Sequence, residues 1–168
     1  PTANTETGSQ ARCRLLHPFP TDSSVDISVT TPDGVRVPEG LRGIIVPPAS
    51  FRMVELGQSA QRREQFAFTA ETRGGRVIAE LAQSLDSNPT GGPRRRGLAL
   101  MPGIARAGSN WIIADSFGGT GVSEQVIVYN PKSDSVSAAV SVVLNDVPAE
   151  AQPEPFVLEI GPRNYEVV

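Results

Sequence analysis

Apolar and polar residues alternate along most of the chain, and helical spacing sustained over ten or more residues is scarce. Alternation of this kind places every second side chain on one face of a strand. The pattern predicts an all-β protein of Ig-like antiparallel β-sandwich units, with a closed barrel as the alternative. The predicted strands cover residues 12–19, 24–31, 44–46, 51–56, 65–72, 76–83, 98–101, 111–114, 124–129, 136–144, 156–160 and 164–168.

One predicted strand competes with a helix. In residues 77–85 the apolar positions also fit three-and-four spacing, which is typical of an amphipathic helix. The preceding Gly74-Gly75 suits the positive φ angles of a tight hairpin turn. The turn favours a strand here, joined to residues 65–72 as a hairpin.

Two segments of the chain occur twice. Residues 15–29 align with 126–140, and residues 46–54 align with 160–168, with apolar positions in phase. This alignment sets Phe19-Pro20 against Asn130-Pro131, and Phe51 against Tyr165. Self-similarity of this kind indicates an internal duplication, which predicts tandem or fused sandwich units. Since the middle of the chain has no second copy, we expect residues 65–83 to pair with strands of at least one copy.

Composition and turn signals suggest where these units begin and end. We expect a flexible N-terminal linker at 1–11, a first β-sandwich unit at 12–85 and an Arg-rich loop at 86–97. The second β-sandwich unit then covers 98–168, either as a separate domain or packed with the first as one.

Charge and apolar run length exclude some partners. The chain has 168 residues and a formal net charge of −3 with both signs distributed, so we expect no nucleic-acid partner. The only dense basic run, Arg94-Arg95-Arg96, lies among Gly and Pro residues and predicts an exposed loop. No apolar run approaches the length of a membrane span. The polar, Thr-rich start resembles the linker after a removed signal or anchor, which predicts export, with membrane contact only through an anchor outside this chain.

Few residues offer chemistry. Cys13 is the only cysteine, which excludes an intrachain disulfide, and its place beside Leu15-Leu16 predicts a small hydrophobe. His17 is the only histidine and precedes a proline near a strand end, where a structural role is expected. Residues 118–121 predict a flexible turn and not a phosphate loop, because no Lys-Ser/Thr pair and no helix follow. We therefore assign no catalytic, cofactor-binding or metal-binding residue, and no cofactor.

Carboxylates and aromatic rings are the remaining candidates. A hydrolase could use two distant carboxylates, but no spacing selects a pair and no calcium-loop motif occurs. The carboxylates considered are Asp22, Asp26, Asp33, Asp115, Glu124, Asp134, Asp146 and Glu159. The larger rings lie within apolar strand patterns, which predicts core packing; exposure of Trp111 and Tyr129 on one face would instead favour sugar binding. These rings are Trp111, Tyr129, Tyr165, Phe51 and Phe156.

A family resemblance adds a cellular context. Trp111, the Gly-rich segment through Gly121, the run Val126-Ile127-Val128-Tyr129-Asn130-Pro131 and the alternating residues 136–142 resemble a repeat of the DUF5719 type in exported actinobacterial proteins of unknown function. The resemblance implies a secreted or envelope-anchored β-sandwich and brings no catalytic residues.

The expected function is that of a noncatalytic extracellular or cell-envelope β-sandwich domain, a structural spacer or interaction module. Its partner would be an envelope protein or a cell-wall polysaccharide. The alternatives are a carbohydrate- or peptidoglycan-binding module and, less favoured, a carboxylate-based hydrolase.

Overall fold

The chain folds almost entirely into antiparallel strands. A computed structural model describes residues 2–60, 63, 65–87, 95–113 and 125–168. The strands are β1 (Thr2–Ala3), β2 (Ser9–His17), β3 (Ser23–Thr31), β4 (Gly34–Arg36), β5 (Ile44–Val46), β6 (Ser50–Glu55), β7 (Phe66–Gly74), β8 (Ile78–Ser87), β9 (Arg95–Pro102), β10 (Ile127–Tyr129), β11 (Val136–Val140), β12 (Phe156–Ile160) and β13 (Tyr165–Val167). Short 3-10 helices span Glu39–Leu41 and Ala149–Ala151. The predicted all-β class is confirmed.

The first of two compact units, Pro1–Arg106, is a β-sandwich. One sheet has the strand order β1-β7-β3-β4, with β5 also paired to β3, and the other has the order β6-β2-β8-β9. Apolar side chains from both sheets form one buried core. Its members in β2 and β3 alternate with more exposed residues, as the sequence pattern requires: Ala11, Cys13 and Leu15, then Val25, Ile27 and Val29.

β7 and β8 complete the two sheets of this unit but do not pair with each other, so the hairpin predicted for residues 65–72 and 77–85 was wrong: the chain crosses from one sheet to the other between them. β7 pairs with β3, and β8 pairs with β2 and β9. Gly75, between β7 and β8, has φ +75°, and a Cβ added there would lie 3.2 Å from the Ser23 hydroxyl oxygen. The expectation that residues 65–83 pair with strands of at least one copy is confirmed. The preference for a strand over a helix at 77–85 is also confirmed.

Three boundaries differ from those predicted. The expected linker at 1–11 contributes β1 and the start of β2, because Ala3 is buried and the Thr5 N–H donates to the Arg63 carbonyl at 2.8 Å. The expected Arg-rich loop at 86–97 was wrong at both ends, since β8 continues to Ser87 and β9 starts at Arg95, while residues 88–94 lie outside the described residues. β9 belongs to the first unit, so the second begins at Ala107 and not at residue 98.

The second compact unit, Ala107–Val168, contains two ladders. β10 pairs with β13, and β11 pairs with β12. The strand predicted at 111–114 is not formed by residues 111–113, and residue 114 lies outside the described residues. Only Asn130 and Ile160 are buried among the described residues of this unit.

Strand pairing confirms the duplication and corrects its alignment. β10 with β13 repeats the pairing of β2 with β6, and β11 with β12 repeats that of β3 with β5. The strand registers of the two copies match only when the alignment of the first segment is shifted by two residues. His17-Pro18 then aligns with Asn130-Pro131. The predicted match of Phe19-Pro20 to Asn130-Pro131 was wrong.

Backbone geometry supports the corrected alignment independently. The Ala49 N–H donates to the Phe19 carbonyl at 3.0 Å, and the Arg163 N–H donates to the Lys132 carbonyl at 2.9 Å. Ala49 and Arg163 also share a left-handed backbone, with φ angles of +45° and +47°. Non-glycine residues seldom adopt such angles. Each unit therefore contains the same corner between its strands.

Candidate functional site

His17 and Asn130 hold the two repeated corners. His17 is buried at the end of β2, where Nδ1 lies 2.7 Å from the Arg76 carbonyl oxygen and Nε2 contacts that of Thr21. Asn130 is buried at the equivalent position, and its Nδ2 donates to the carbonyl oxygen of Asp134 at 2.7 Å. Both side chains thus bond the backbone four residues ahead. Both ring nitrogens of His17 face backbone oxygens, which gives it a structural place in the turn.

Asn130 has further bonds that the sequence reasoning did not foresee. Nδ2 also lies within hydrogen-bond distance of the carbonyl oxygens of Ile160 and Gly161, and Oδ1 accepts from the Lys132 N–H at 3.0 Å. The Asn-Pro dipeptide was visible in the sequence. Its burial was not, because a buried asparagine requires carbonyl partners that only the folded corner supplies.

The Cys13 thiol is enclosed in the core of the first unit. It is fully buried, and burial raises the pKa of the Cys13 thiol to about 12. A thiol with this pKa is protonated at neutral pH and is a poor nucleophile. The side chain packs as a small hydrophobe, as predicted.

Of the candidate carboxylates, Asp26 and Asp33 have arginine partners. Asp26 accepts from the Gly43 N–H at 2.6 Å and forms an ion pair with Arg73, and these contacts lower the pKa of the Asp26 carboxyl. Asp33 lies 3.3 Å from Arg63. Asp115 and Glu124 lie outside the described residues. Within the described residues, no group of three or more His, Cys, Asp and Glu side chains could hold a metal ion.

The aromatic side chains are more exposed than predicted. Trp111 is 61% exposed, and its Nε1 donates to the Gly108 carbonyl at 3.0 Å. Phe51 and Phe156 are also exposed, so the prediction of core packing was wrong for these three residues. Tyr129 and Tyr165 lie opposite each other in the second unit and are half-buried.

The basic run and the glycine-rich segment fall partly outside the described residues. Arg96 lies in β9, opposite Asp86, with 3.6 Å between their charged groups. The predicted exposed loop is therefore replaced by a strand at Arg95 and Arg96, while Arg94 and residues 118–121 lie outside the described residues.

An apolar row crosses the outer face of the four-stranded sheet. Leu16 in β2 lies between Phe51 in β6 and Ile78 in β8 by strand register. Their side chains are 45%, 63% and 59% exposed, respectively. The row arises because these strands have apolar residues at outward as well as inward positions, as in the Leu15-Leu16 pair. Met53, Leu98 and Leu100 are further exposed apolar residues of this outer face.

Charged residues on the same outer face neutralise one another. The ion pairs are Arg12 with Glu55, Arg14 with Glu80 at 3.0 Å, and Arg96 with Asp86. Each pair links neighbouring strands of the sheet. The face therefore has exposed apolar surface beside paired charges, whereas the outer positions of β3, such as Asp26 and Ser28, are polar.

Two open depressions lie in the first unit. One is bordered by Asp33, Arg36 and Arg63, and the other by Leu41, Arg52 and Met53. The larger has a volume of about 220 Å³, below the roughly 300–1,000 Å³ that is usual for small-molecule sites. No helix in the part of the chain that the structure describes is long and apolar enough to cross a membrane.

Comparison with known proteins gives one match. Residues 1–94 match the model of a family of unknown function (DUF5719), and this range ends between β8 and β9. No curated protein and no solved structure matches the chain. The residues that suggested this family, from Trp111 to residue 142, lie outside the matched range. Because the match covers more than half of the sequence, the chain belongs to the DUF5719 family.

Proposed function

We propose that this protein is a noncatalytic interaction module of the extracellular space or cell envelope, which binds a partner protein through the outer face of its four-stranded sheet. The observation that carries the proposal is the apolar row of Phe51, Leu16 and Ile78. Exposed apolar surface rimmed by polar residues is typical of protein interaction sites.

The charges of this face favour an apolar protein surface as the partner. Arg12, Arg14 and Arg96 are each paired with a carboxylate on a neighbouring strand, so these three arginines offer no unpaired charge to a polyanion. Phe51 is the one aromatic ring in the apolar row, and the row itself has no side-chain polar group to bond sugar hydroxyls. These features support a protein partner over a cell-wall polysaccharide.

Site-specific photocrosslinking in the native organism tests this proposal. A photoreactive phenylalanine analogue replaces Phe51, and the control places it at Thr69, in the outer position of the other sheet that lies opposite Ser28. We expect a light-dependent adduct with one protein from position 51 and none from position 69. Excess wild-type protein should suppress this adduct, and the Phe51→Ser/Ile78→Ser variant should not.

Several results would contradict the proposal. They are no adduct from position 51, the same adducts from both positions, or an adduct with glycan. Cell fractionation checks the location separately, since recovery of the protein only from the cytoplasm would overturn the envelope assignment and leave the interaction surface to the crosslinking result.

A further inference from the structure

β9 is an edge strand of the first unit and is paired on one side. It pairs with β8 along its length, and among the described residues no strand pairs with its other edge. Residues 96–100 are all exposed, with Leu98 at 73% and Leu100 at 53%. An exposed apolar edge strand is a template for pairing with another strand, so folded proteins usually cover or interrupt such an edge.

The backbone direction of β9 shows which groups face the free edge. The Gly103 N–H donates to the Ala79 carbonyl at 2.7 Å, so this residue points toward β8. Because backbone groups alternate in direction along a strand, those of Leu98 and Leu100 point away from β8. Pro102 occupies a position of the same kind and has no N–H to donate. The free edge therefore ends at a proline, and its hydrogen-bonding groups lie on the N-terminal side of it.

Two β9 strands fit each other in antiparallel orientation about Leu98. When Leu98 lies opposite its own copy, Arg96 lies opposite Leu100 of the second copy. Each of these pairs has its backbone groups directed at the other strand and can exchange two hydrogen bonds. Between them, Gly97 lies opposite Ala99 of the second copy, and both residues are small enough for close approach. The edge is therefore complementary to itself.

The charges of β9 favour the antiparallel orientation and a second copy as the occupant. The strand begins with Arg95-Arg96 and ends at the uncharged Pro102. A parallel pair would place Arg96 opposite its own copy, and like charges directly opposite destabilise a ladder. The antiparallel pair separates them. Arg96 also has Asp86 of its own sheet as an ion-pair partner, so it offers no unpaired charge to an acidic strand of another protein.

We propose that β9 pairs with β9 of a second copy of this chain and forms a dimer with two-fold symmetry about Leu98. The four-stranded sheets of the two copies become one continuous sheet. Leu98 packs against Leu98 of the second copy on the outer face, which removes apolar surface from water. A two-fold contact is closed, so association stops at the dimer. The dimer does not rest on the proposed function, but it joins the outer faces of the two copies.

Charge substitutions at residue 98 test the inference by sedimentation equilibrium. We expect the wild type to reach twice the mass of one chain. Leu98→Arg and Leu98→Asp should each raise the dimer Kd by about tenfold or more, because like charges then lie opposite each other. An equimolar mixture of the two variants should restore the dimer, since opposite charges then meet at the axis. Leu98 is exposed, so neither change should unfold the chain. Thr69→Arg, on the other sheet, is the control and should keep the wild-type Kd.

A single cysteine reports the register of the two strands. In a Cys13→Val background, Leu98→Cys should form an interchain disulfide under mild oxidation, because the Cα atoms of a hydrogen-bonded antiparallel pair are about 5.5 Å apart. Leu16→Cys should not form one. Leu16 lies in β2, and five inter-strand steps of roughly 4.8 Å separate it from its copy in this dimer. A disulfide from Leu16→Cys in place of Leu98→Cys would show that the copies stack through their outer faces, which would overturn the inference.

Three other results would also overturn it. The first is a wild-type chain that stays monomeric up to roughly 0.1 mM. The second is a mixture of the two charge variants that does not dimerise. The third is slow hydrogen exchange of the Leu98 and Leu100 N–H groups in the monomer, which would show that another segment of this chain already pairs with the edge. None of these results affects photocrosslinking from position 51, so the two proposals fail separately.

Discussion

The Ile27 side chain is important for the stability of the first unit. The reactivity of the Cys13 thiol can report the unfolding that follows when this side chain is shortened. Ile27 lies in the middle of β3 and is fully buried in the core that also contains Cys13. An Ile27→Ala substitution removes buried carbon atoms and leaves a cavity, which costs about 2–5 kcal/mol in well-packed cores. This is a large share of the roughly 5–15 kcal/mol that stabilises a typical domain. We therefore expect a marked increase in the unfolded fraction of this unit.

The assay is the rate at which a thiol reagent modifies Cys13 in the native protein. Cys13 is the only cysteine, and its strand β2 is paired on both sides, so modification requires the unit to open. When opening is fast compared with modification, the rate follows the open population, and each 1.4 kcal/mol gives a tenfold change. Ile27→Ala should therefore accelerate labelling by about 25-fold to 4,000-fold.

The neighbouring Ser28→Ala variant is the control. Ser28 lies on the outer face of the same strand and is half-buried, so its substitution should change labelling by less than about threefold. Equal rates for Ile27→Ala and Ser28→Ala would refute the assignment of the two faces of β3. Rapid labelling of the wild-type protein would refute the burial of Cys13.

Two further predictions concern single buried side chains. The pKa of Cys13 is about 12 in the folded protein and near 9.0 for an ordinary thiol, so the unfolded chain loses this proton first and stability falls as pH rises above 9. The loss should reach about 1.4 kcal/mol at pH 10, and urea titrations of Cys13→Val should lack this contribution; equal pH dependence would contradict the burial of the thiol. Asn130→Leu removes the side-chain bonds that hold the second corner, which should cost about 2–4 kcal/mol and accelerate hydrogen exchange at 127–129 and 156–160. Unchanged exchange would show that the corner does not depend on Asn130.

The sequence pattern predicts the positions of the strands better than it predicts which face of each strand is buried. β5 and β12 have the predicted bounds, because turn residues enclose short apolar runs on both sides. The apolar row on the outer face was not foreseen. Leu15 and Leu16 are both apolar and point to opposite faces of β2, so alternation alone cannot say which of them is buried. Phe51 was assigned to the core or its boundary for the same reason, although its side chain is mostly exposed.

The duplication shows a second limit of pattern reasoning. A shift of two residues along a strand leaves every side chain on its original face, so an alignment of apolar positions fits equally well before and after it. Strand register and the φ angles of Ala49 and Arg163 were needed to decide whether Pro20 or Pro18 is the residue equivalent to Pro131 in the alignment. These quantities are set by hydrogen bonding across the ladders and leave little trace in composition.

The repeated corner has a consequence for the order in which the first unit folds. The second unit holds the pairs β10 with β13 and β11 with β12 without a strand equivalent to β7 or β8 among its described residues. The same half of the first unit, β2 with β6 and β3 with β5, can therefore form before β7 and β8 join the two sheets. Substitutions in the corner at His17 should then slow folding, whereas substitutions in β8, such as Leu81→Ala, should mainly accelerate unfolding.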